Sequence, residues 1–334
     1  MIGYYVHHQG RGHLHRAVAI AACAATDITG LATSARPAGW LGDWVELADD
    51  AGAGPEADLG AGGRLHYVPY GHDGLRSRMA ALSAWIADAR PDALVADVSV
   101  EVALLARLHG VPVLTMAQPG RRRDAAHTLG YSISERILAP WPAAATQIWH
   151  TDRSAVAGKV DHLGAISRFD VVREPIEPTP GSVLVLNGTG GPQLTREVDS
   201  ARAATPAWDW VHLGGQGGPW SDDPWPLLNT TSVIVSHCGQ SAVADIAAAR
   251  RPAVLVPQAR PFEEQATMAV ALRRLGVPAL VLDEWPAPGK WPAVLETAEA
   301  LDGSGWSVWN DGQGAERAAE VFQRAAAGAS RALA

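Results

Sequence analysis

The chain has 334 residues, more than one ordinary hydrophobic core accommodates, so two domains of roughly 150 residues each are expected. Hydrophobic residues make up 47% and charged residues 19%, which excludes a disordered chain. The formal net charge of −8 argues against a nucleic-acid partner, whose phosphates would be repelled.

Residues 2–6 read as a buried strand, Gly10 and Gly12 as a flexible turn, and 13–25 as a helix. Residues 28–32 are a second strand and 65–68 a third. A helical period over 75–89 stops before Pro91, and 93–96 form a short strand ending at Asp97. Residues 100–108 read as a helix closed by Gly110, followed by a strand over 111–116. Pro175, Pro178 and Pro180 mark 174–181 as a linker, since proline stiffens a connector and stops both helix and strand. A second alternating series follows, with strands over 182–186, 210–213, 232–236, 253–257 and 279–282. Helices are expected over 243–249, 264–275 and, at the end, 315–327. Such alternation predicts an α/β chain of two doubly wound, Rossmann-like domains, 1–173 and 182–334, facing a cleft at the carboxyl ends of their strands.

Four groups of residues carry chemical possibilities. The first is His7-His8-Gln9-Gly10-Arg11-Gly12-His13-Leu14-His15-Arg16. A strand, a glycine turn and a helix N-terminus let backbone approach an anionic ligand. A dinucleotide fingerprint fails here, because its third glycine falls at His15. The histidines could instead hold a metal, cap the helix, or supply a general base in His13, whose near-neutral titration suits removal of a hydroxyl proton. The second is Asp97, at the end of a strand, able either to orient a histidine or to cap the next helix. The third and most informative is Ser236-His237-Cys238-Gly239-Gln240-Ser241-Ala242-Val243-Ala244-Asp245, a strand, turn and helix that would bind a diphosphate. About twenty residues later, Glu264 and Gln265 offer acceptors and donors for vicinal sugar hydroxyls. The fourth is Arg121-Arg122-Arg123, either an anion-recognising patch for an acceptor or a solvated charge run. Trp40, Trp44, Trp220 and Trp225 are further aromatic residues that could line a pocket, beside ordinary packing roles.

Residues 233–276 resemble the donor-binding half of the GT-B glycosyltransferases. They are similar to the MurG-type N-acetylglucosaminyl transferases and to UDP-glycosyltransferases with a His-x-Gly…Glu…Asp/Glu-Gln signature. The resemblance implies a nucleotide-sugar donor, UDP-linked, and no other cofactor or metal. It implies that His237 and the turn through Gly239, Gln240 and Ser241 contact the diphosphate, Asp245 the ribose, and Glu264 with Gln265 the donor sugar. Asn187-Gly188-Thr189-Gly190-Gly191 resembles the glycine-rich loop that opens the second domain, and Gly10-Arg11-Gly12-His13 the first loop. The implied reaction is inverting transfer to an acceptor hydroxyl, with His13 as base, oriented by Asp97. The terminal helix is expected to cross back to the first domain. Two positions depart from the pattern: Asp245 stands where glutamate is usual, and Ala242 where a phosphate-touching hydroxyl is usual, leaving Ser241.

Alternative readings are a UDP-sugar 2-epimerase or hydrolase on the same fold, a non-catalytic nucleotide-sugar-binding regulator, and a metallohydrolase. The acceptor is left open, with an anionic or lipid-linked molecule suggested by the arginine run. Two cysteines, Cys23 and Cys238, cannot build a disulfide framework. With no secretory n-region in 1–6 and no run near ~18 apolar residues, a cytoplasmic location is expected, peripheral to the inner membrane face if the acceptor is lipid-linked.

Overall fold

The computed structural model describes residues 1–8, 10–52, 58–174, 176–188, 195–215 and 218–332, with side chains to 328. The first half contains strands β1 (Ile2–Val6), β2 (Ile28–Ala32), β3 (Trp44–Glu46), β4 (Ala93–Asp97), β5 (Val113–Met116), β6 (Gly120–Arg122), β7 (Arg136–Ala139), β8 (Trp149–Thr151) and β9 (Val160–His162). Its helices are α1 (Arg11–Cys23), α2 (Asp73–Ala89), α3 (Val100–Leu108), α4 (Ala125–Ile133) and the short α5 (Arg153–Val156). Seven of these strands form one parallel sheet in the order β3-β2-β1-β4-β5-β7-β9, and β6 pairs with β8 beside it. Every residue of β1, β2 and β4 is buried, because helices cover both faces.

The second half holds β10 (Thr179–Leu186), α6 (Thr195–Ala204), β11 (Asp209–Leu213), α7 (Trp225–Thr230), β12 (Thr231–Ser236), α8 (Gln240–Ala249), β13 (Ala253–Leu255), α9 (Glu264–Leu275), β14 (Ala279–Val281) and α10 (Trp291–Glu299). Its strands form a parallel sheet ordered β11-β10-β12-β13-β14. The α/β fold with two Rossmann-like halves matches the expectation from alternation. β10 starts at Thr179, so the last residues of the 174–181 stretch already belong to a strand.

The final helix, α11 (Gly314–Ala332), returns to the first half. Ala318, Val321 and Phe322 are buried with Ile2, Tyr4, Ala17 and Ile20 in one hydrophobic cluster. The Phe322 ring meets Tyr4 edge-on at 6.0 Å.

Residues 65–68 form no strand. The backbone N–H groups of Leu65 and Val68 bond back to Gly60 and Leu59, and those of His66 and Tyr67 are taken by the Glu101 carboxylate. With its donors spent locally, the segment has none left for a sheet ladder. The edge position falls instead to β3, three residues too short to show alternation.

Candidate functional site

Both sheets reverse their strand order at the same place in their topology. β1 lies between β2 and β4, and β10 between β11 and β12. Ligands in open α/β sheets bind outside the carboxyl ends of strands at such points. Here the two points face each other across a cavity of about 870 Å³ lined by both halves. α1 and α8 start at this cavity. Their N-cap residues, Gly10 and Gly239, provide no side-chain cap, and neither first turn contains an acidic residue. The first N–H groups of two helices therefore stand ready for an anion, each with the partial positive charge of a helix N-terminus. The helices nearly touch: a Cβ added at Gly12 would lie 2.1 Å from Ser241 Oγ.

On the first-domain side, His13 Nδ1 is 3.0 Å from Asp97 Oδ1. Asp97 is fully buried, and Arg16 Nη2 reaches both of its oxygens at 2.7 and 2.9 Å. Burial pushes the Asp97 carboxyl up, but Arg16 and then His13 outweigh it and hold it well below the usual carboxylate range. Arg16 Nη2 also lies 3.1 Å from His13 Nδ1. Its two hydrogens are spent on the carboxylate, which accepts only, so the His13 proton belongs on Nδ1, toward Asp97. Nε2 keeps its lone pair, and His13 lines the cavity. Asp97 does not cap α3; Ser99 does, accepting from Val102 N at 3.2 Å. Between them Val98 has φ 82°, a conformation that a β-branched residue adopts only under local constraint. His7 packs 5.8 Å from His13, and burial, with His13 and His8 nearby, lowers its pKa to about 4.

On the second-domain side, His237 Nδ1 donates to Val256 O at 2.9 Å, and its Nε2 accepts from Gln258 Nε2. Burial keeps this imidazole below its ordinary pKa. The side chain thus shapes the turn before α8 and is neutral there. Gln240 accepts from Arg16 Nη1 at 3.0 Å, tying α8 to α1. Asp245 lines the cavity but is already engaged: Ser167 Oγ donates to it at 2.7 Å, and Arg168 stands 3.5 Å away. Burial raises its pKa to about 6 despite those partners. Gln265 accepts from Gln258 N at 2.9 Å, which leaves its amide N–H groups beside Gly239. Glu264, Gln265 and Gly188 all line the cavity, whereas Thr189 and Gly190 lie outside the described residues.

The three consecutive arginines do not form one cationic patch. β6 turns Arg121 outward and Arg122 inward, and Arg123, just past the strand, is exposed; neither exposed arginine lines the cavity. Arg121 pairs with Glu263 at 2.8 Å, and Arg122 pairs with Glu264. Both charges are satisfied across the cleft by the second domain, so an incoming anion finds no free guanidinium in Arg122.

Among the described residues, two groups come close enough to share an ion: His66, Asp124 and His127, and His8, Asp49 and Asp50. In the first, Arg122 Nη1 faces His127 Nε2 at 3.0 Å, and Asp124 Oδ2 lies 2.6 Å from His127 Nδ1. A guanidinium can only donate, so the imidazole proton sits on Nδ1, the nitrogen that would have to ligate. In the second, Asp50 is already paired with Arg78. His15 points away from His13 toward Arg168. His13 and His15 therefore do not converge on one ion, and of the N-terminal histidines only His8 belongs to such a group among the described residues.

Several cavity residues went unread in the sequence. Arg16 stands three residues after His13, hence on the same helix face, a spacing that was available. Arg11 pairs with Asp222 at 2.8 Å and lies 4.9 Å over the Trp220 ring. Arg168 donates to Asp222 O at 3.0 Å. No local pattern announces these long-range pairs.

No protein-family model matches the chain. Two curated relatives from cyanobacteria are UDP-N-acetylglucosamine--N-acetylmuramyl-(pentapeptide) pyrophosphoryl-undecaprenol N-acetylglucosamine transferases. The one from Synechococcus elongatus is 28% identical over 191 residues, 42% of this chain and 53% of its own. The other, from a Synechococcus species, is 28% identical over the same length and is matched over 52% of its own. The chain thus spans about half the length of the curated relatives it matches. Solved structures agree over nearly the whole chain. The kitacinnamycin glycosyltransferase has a TM-score of 0.70 at 16% identity, covering 97% of this chain and 98% of its own. MurG of Acinetobacter baumannii has 0.62 at 14%, covering 97% and 99%. The calicheamicin glycosyltransferase CalG4 has 0.59 at 16%, covering 99% and 97%.

Proposed function

From a chain that has the GT-B glycosyltransferase fold and resembles the MurG-type transferases in sequence, we propose a glycosyltransferase that moves a sugar from a nucleotide diphosphate, UDP-linked, to an acceptor hydroxyl with inversion. The observation that carries this reading is the pairing of His13 and Asp97 at 3.0 Å on one wall of the cavity, opposite the uncapped N-terminus of α8.

In this reading the diphosphate lies against the first turn of α8, at Gly239, Gln240 and Ser241, with the start of α1 approaching through Gly12. Aligned N–H groups stabilise the charge that develops as the sugar leaves. His237 holds the turn through Val256 rather than offering its own proton. Asp245, shared with Ser167, takes part in ribose binding. Glu264 and the free amide of Gln265 hold the donor sugar.

The acceptor hydroxyl enters from the first domain. His13 Nε2 takes its proton as the oxygen attacks the anomeric carbon and the bond to the diphosphate oxygen breaks. The imidazolium that forms is stabilised by Asp97, which Arg16 keeps ionised. The cyanobacterial relatives act on a lipid-linked pyrophosphoryl acceptor. The acceptor of this chain need not be anionic, since Arg121 and Arg122 are already paired.

Calorimetric titration with UDP, UDP-glucose and UDP-N-acetylglucosamine tests the donor half of this reading without any acceptor. Saturable one-site binding is expected. Heats indistinguishable from dilution for every uridine nucleotide overturn it.

A further inference from the structure

Residues 261–264 of the second domain carry an unusual backbone. Phe262 has φ 59° and Glu263 φ 55°, two consecutive non-glycine residues in the left-handed region. Such residues avoid this conformation unless their surroundings impose it. The surroundings come from the first domain. Gly120, itself at φ 110°, lies so close beneath this turn that an added Cβ would sit 2.4 Å from Phe262 O. The Arg122 guanidinium stacks 4.2 Å from the Phe262 ring, and His127 meets the same ring edge-on at 4.8 Å. Arg121 holds Glu263, and Arg122 Nη2 donates to Glu264 Oε1.

Arg122 is itself fixed from behind. Its Nε donates to Pro119 O at 3.1 Å, and its Nη1 donates to His127 Nε2 at 3.0 Å. Asp124 accepts the His127 Nδ1 proton, completing a chain of contacts that runs Asp124, His127, Arg122, Glu264. Burial, reinforced by His66 and Arg122, lowers the His127 pKa to about 4, so the ring stays a neutral acceptor. A carboxylate that opens α9 is therefore aimed by a guanidinium belonging to the opposite domain. Among the described residues its second oxygen, Oε2, has no hydrogen-bond partner, and Glu264 lines the cavity.

We propose that Arg122 is a positioning residue for donor-sugar recognition: it turns Glu264 so that Oε2 faces the sugar, and it does so only while the two domains are closed on each other. Arg122 then contributes to donor discrimination through Glu264 rather than through a sugar contact of its own. This inference rests on the reading of Glu264 as a sugar contact, and the experiment separates the two.

The measurement is the ratio of dissociation constants for a UDP-sugar and for UDP. The sugar is whichever of UDP-glucose, UDP-galactose, UDP-N-acetylglucosamine and UDP-glucuronate binds wild-type protein most tightly. Glu264→Ala should raise the ratio about tenfold, the cost of a charge-assisted hydrogen bond. Arg122→Gln should raise it by a similar factor while the UDP constant stays within about twofold. The double variant should be no worse than the worse single variant, because both changes remove one coupled unit. Asp124→Asn, which leaves Arg122 in place, should move the ratio the same way by a smaller factor, and it stands in if Arg122→Gln fails to fold. If Glu264→Ala shifts the ratio while neither Arg122→Gln nor Asp124→Asn does, the positioning role is overturned and the sugar contact survives. If Glu264→Ala leaves the ratio unchanged, or no UDP-sugar binds, both fall.

Discussion

Arg16 Nη2 straddles the Asp97 carboxylate, 2.7 Å from one oxygen and 2.9 Å from the other, in a site with no water access to Asp97. The pair has two consequences that one substitution can separate. In Asp97→Asn the shape is kept, but a buried guanidinium loses its counter-charge. Unfolding in urea should show a loss of about 3 kcal/mol or more. The amide can also donate to His13 Nδ1, which moves the imidazole proton to Nε2, the wrong side for a base. Turnover should fall about 10³-fold or more at neutral pH, with UDP affinity retained in whatever fraction is folded. A variant with normal stability and turnover would show that the carboxylate does neither job.

His13→Ala isolates the chemical role. His13 is partly exposed and borders the cavity, so stability should change little. Transfer should fall by about 10²–10⁴-fold, the contribution of a positioned general base. UDP binding should survive. Loss of UDP binding together with transfer would move His13 from the base role to the nucleotide site.

Gly12→Ala tests how closely the two helices must approach. Alanine favours a helix over glycine by about 1 kcal/mol, so α1 itself should not suffer. The added methyl would collide with Ser241 Oγ across the cleft. The domains must separate or Ser241 must turn away, at a cost of about 1–3 kcal/mol by analogy with overpacking. UDP affinity should drop correspondingly, and Ser241→Ala in the same chain should recover part of it. Unchanged affinity in Gly12→Ala would mean that the contact does not constrain the nucleotide site.

Acid sensitivity follows from three buried or half-buried imidazoles. Burial is the leading cause that lowers His7, His15 and His127 to about 4 in the fold, while an unfolded histidine titrates near 6.5. Between those values unfolding takes up protons, so stability should be complete above about pH 6.5 and decline toward pH 4. Asp245, raised to about 6, acts in the opposite sense over part of this window, because the fold then holds a proton that the unfolded chain releases. Three groups against one leave a net loss on acidification. Urea midpoints at pH 7.5, 5.5 and 4.5 should fall in that order; a flat series would place these histidines in contact with solvent.

Phe322→Ala should cost about 3–5 kcal/mol, the range for a large aromatic removed from a core. Phe322 is fully buried against Tyr4, although it belongs to the last helix of the chain. The loss should appear as destabilisation of the first domain, read by hydrogen exchange of β1 and β4. Protection lost only in the second sheet would contradict the packing described above.

The two-sheet α/β architecture was legible because buried parallel strands read as short apolar runs, and those at 2–6, 28–32 and 93–96 were found almost to the residue. β3 and β6 were not, since three residues carry no period and both are held by contacts distant in sequence. The stretch at 65–68 looked like a strand because it is apolar and β-prone. Its backbone is diverted by Glu101, which lies 34 and 35 residues away. In the site, the pairing of His13 with Asp97 was implied by the resemblance, and the two side chains lie 3.0 Å apart. Arg122 read as one third of a charge run, because sequence adjacency hides the two-residue alternation of a strand that buries one arginine between two exposed ones.

The return of α11 to the first sheet has a consequence for how the protein is made. Residues 1–166 finish translation roughly 150 residues before Phe322 emerges, a wait of about 10–30 s at ordinary elongation rates. Throughout that interval the cluster of Ile2, Tyr4, Ala17 and Ile20 lacks the part of its cover that Ala318, Val321 and Phe322 supply. A nascent first domain must therefore remain sticky until the second has been synthesised, and chaperone occupancy on the ribosome should track the uncovered face rather than the cleft.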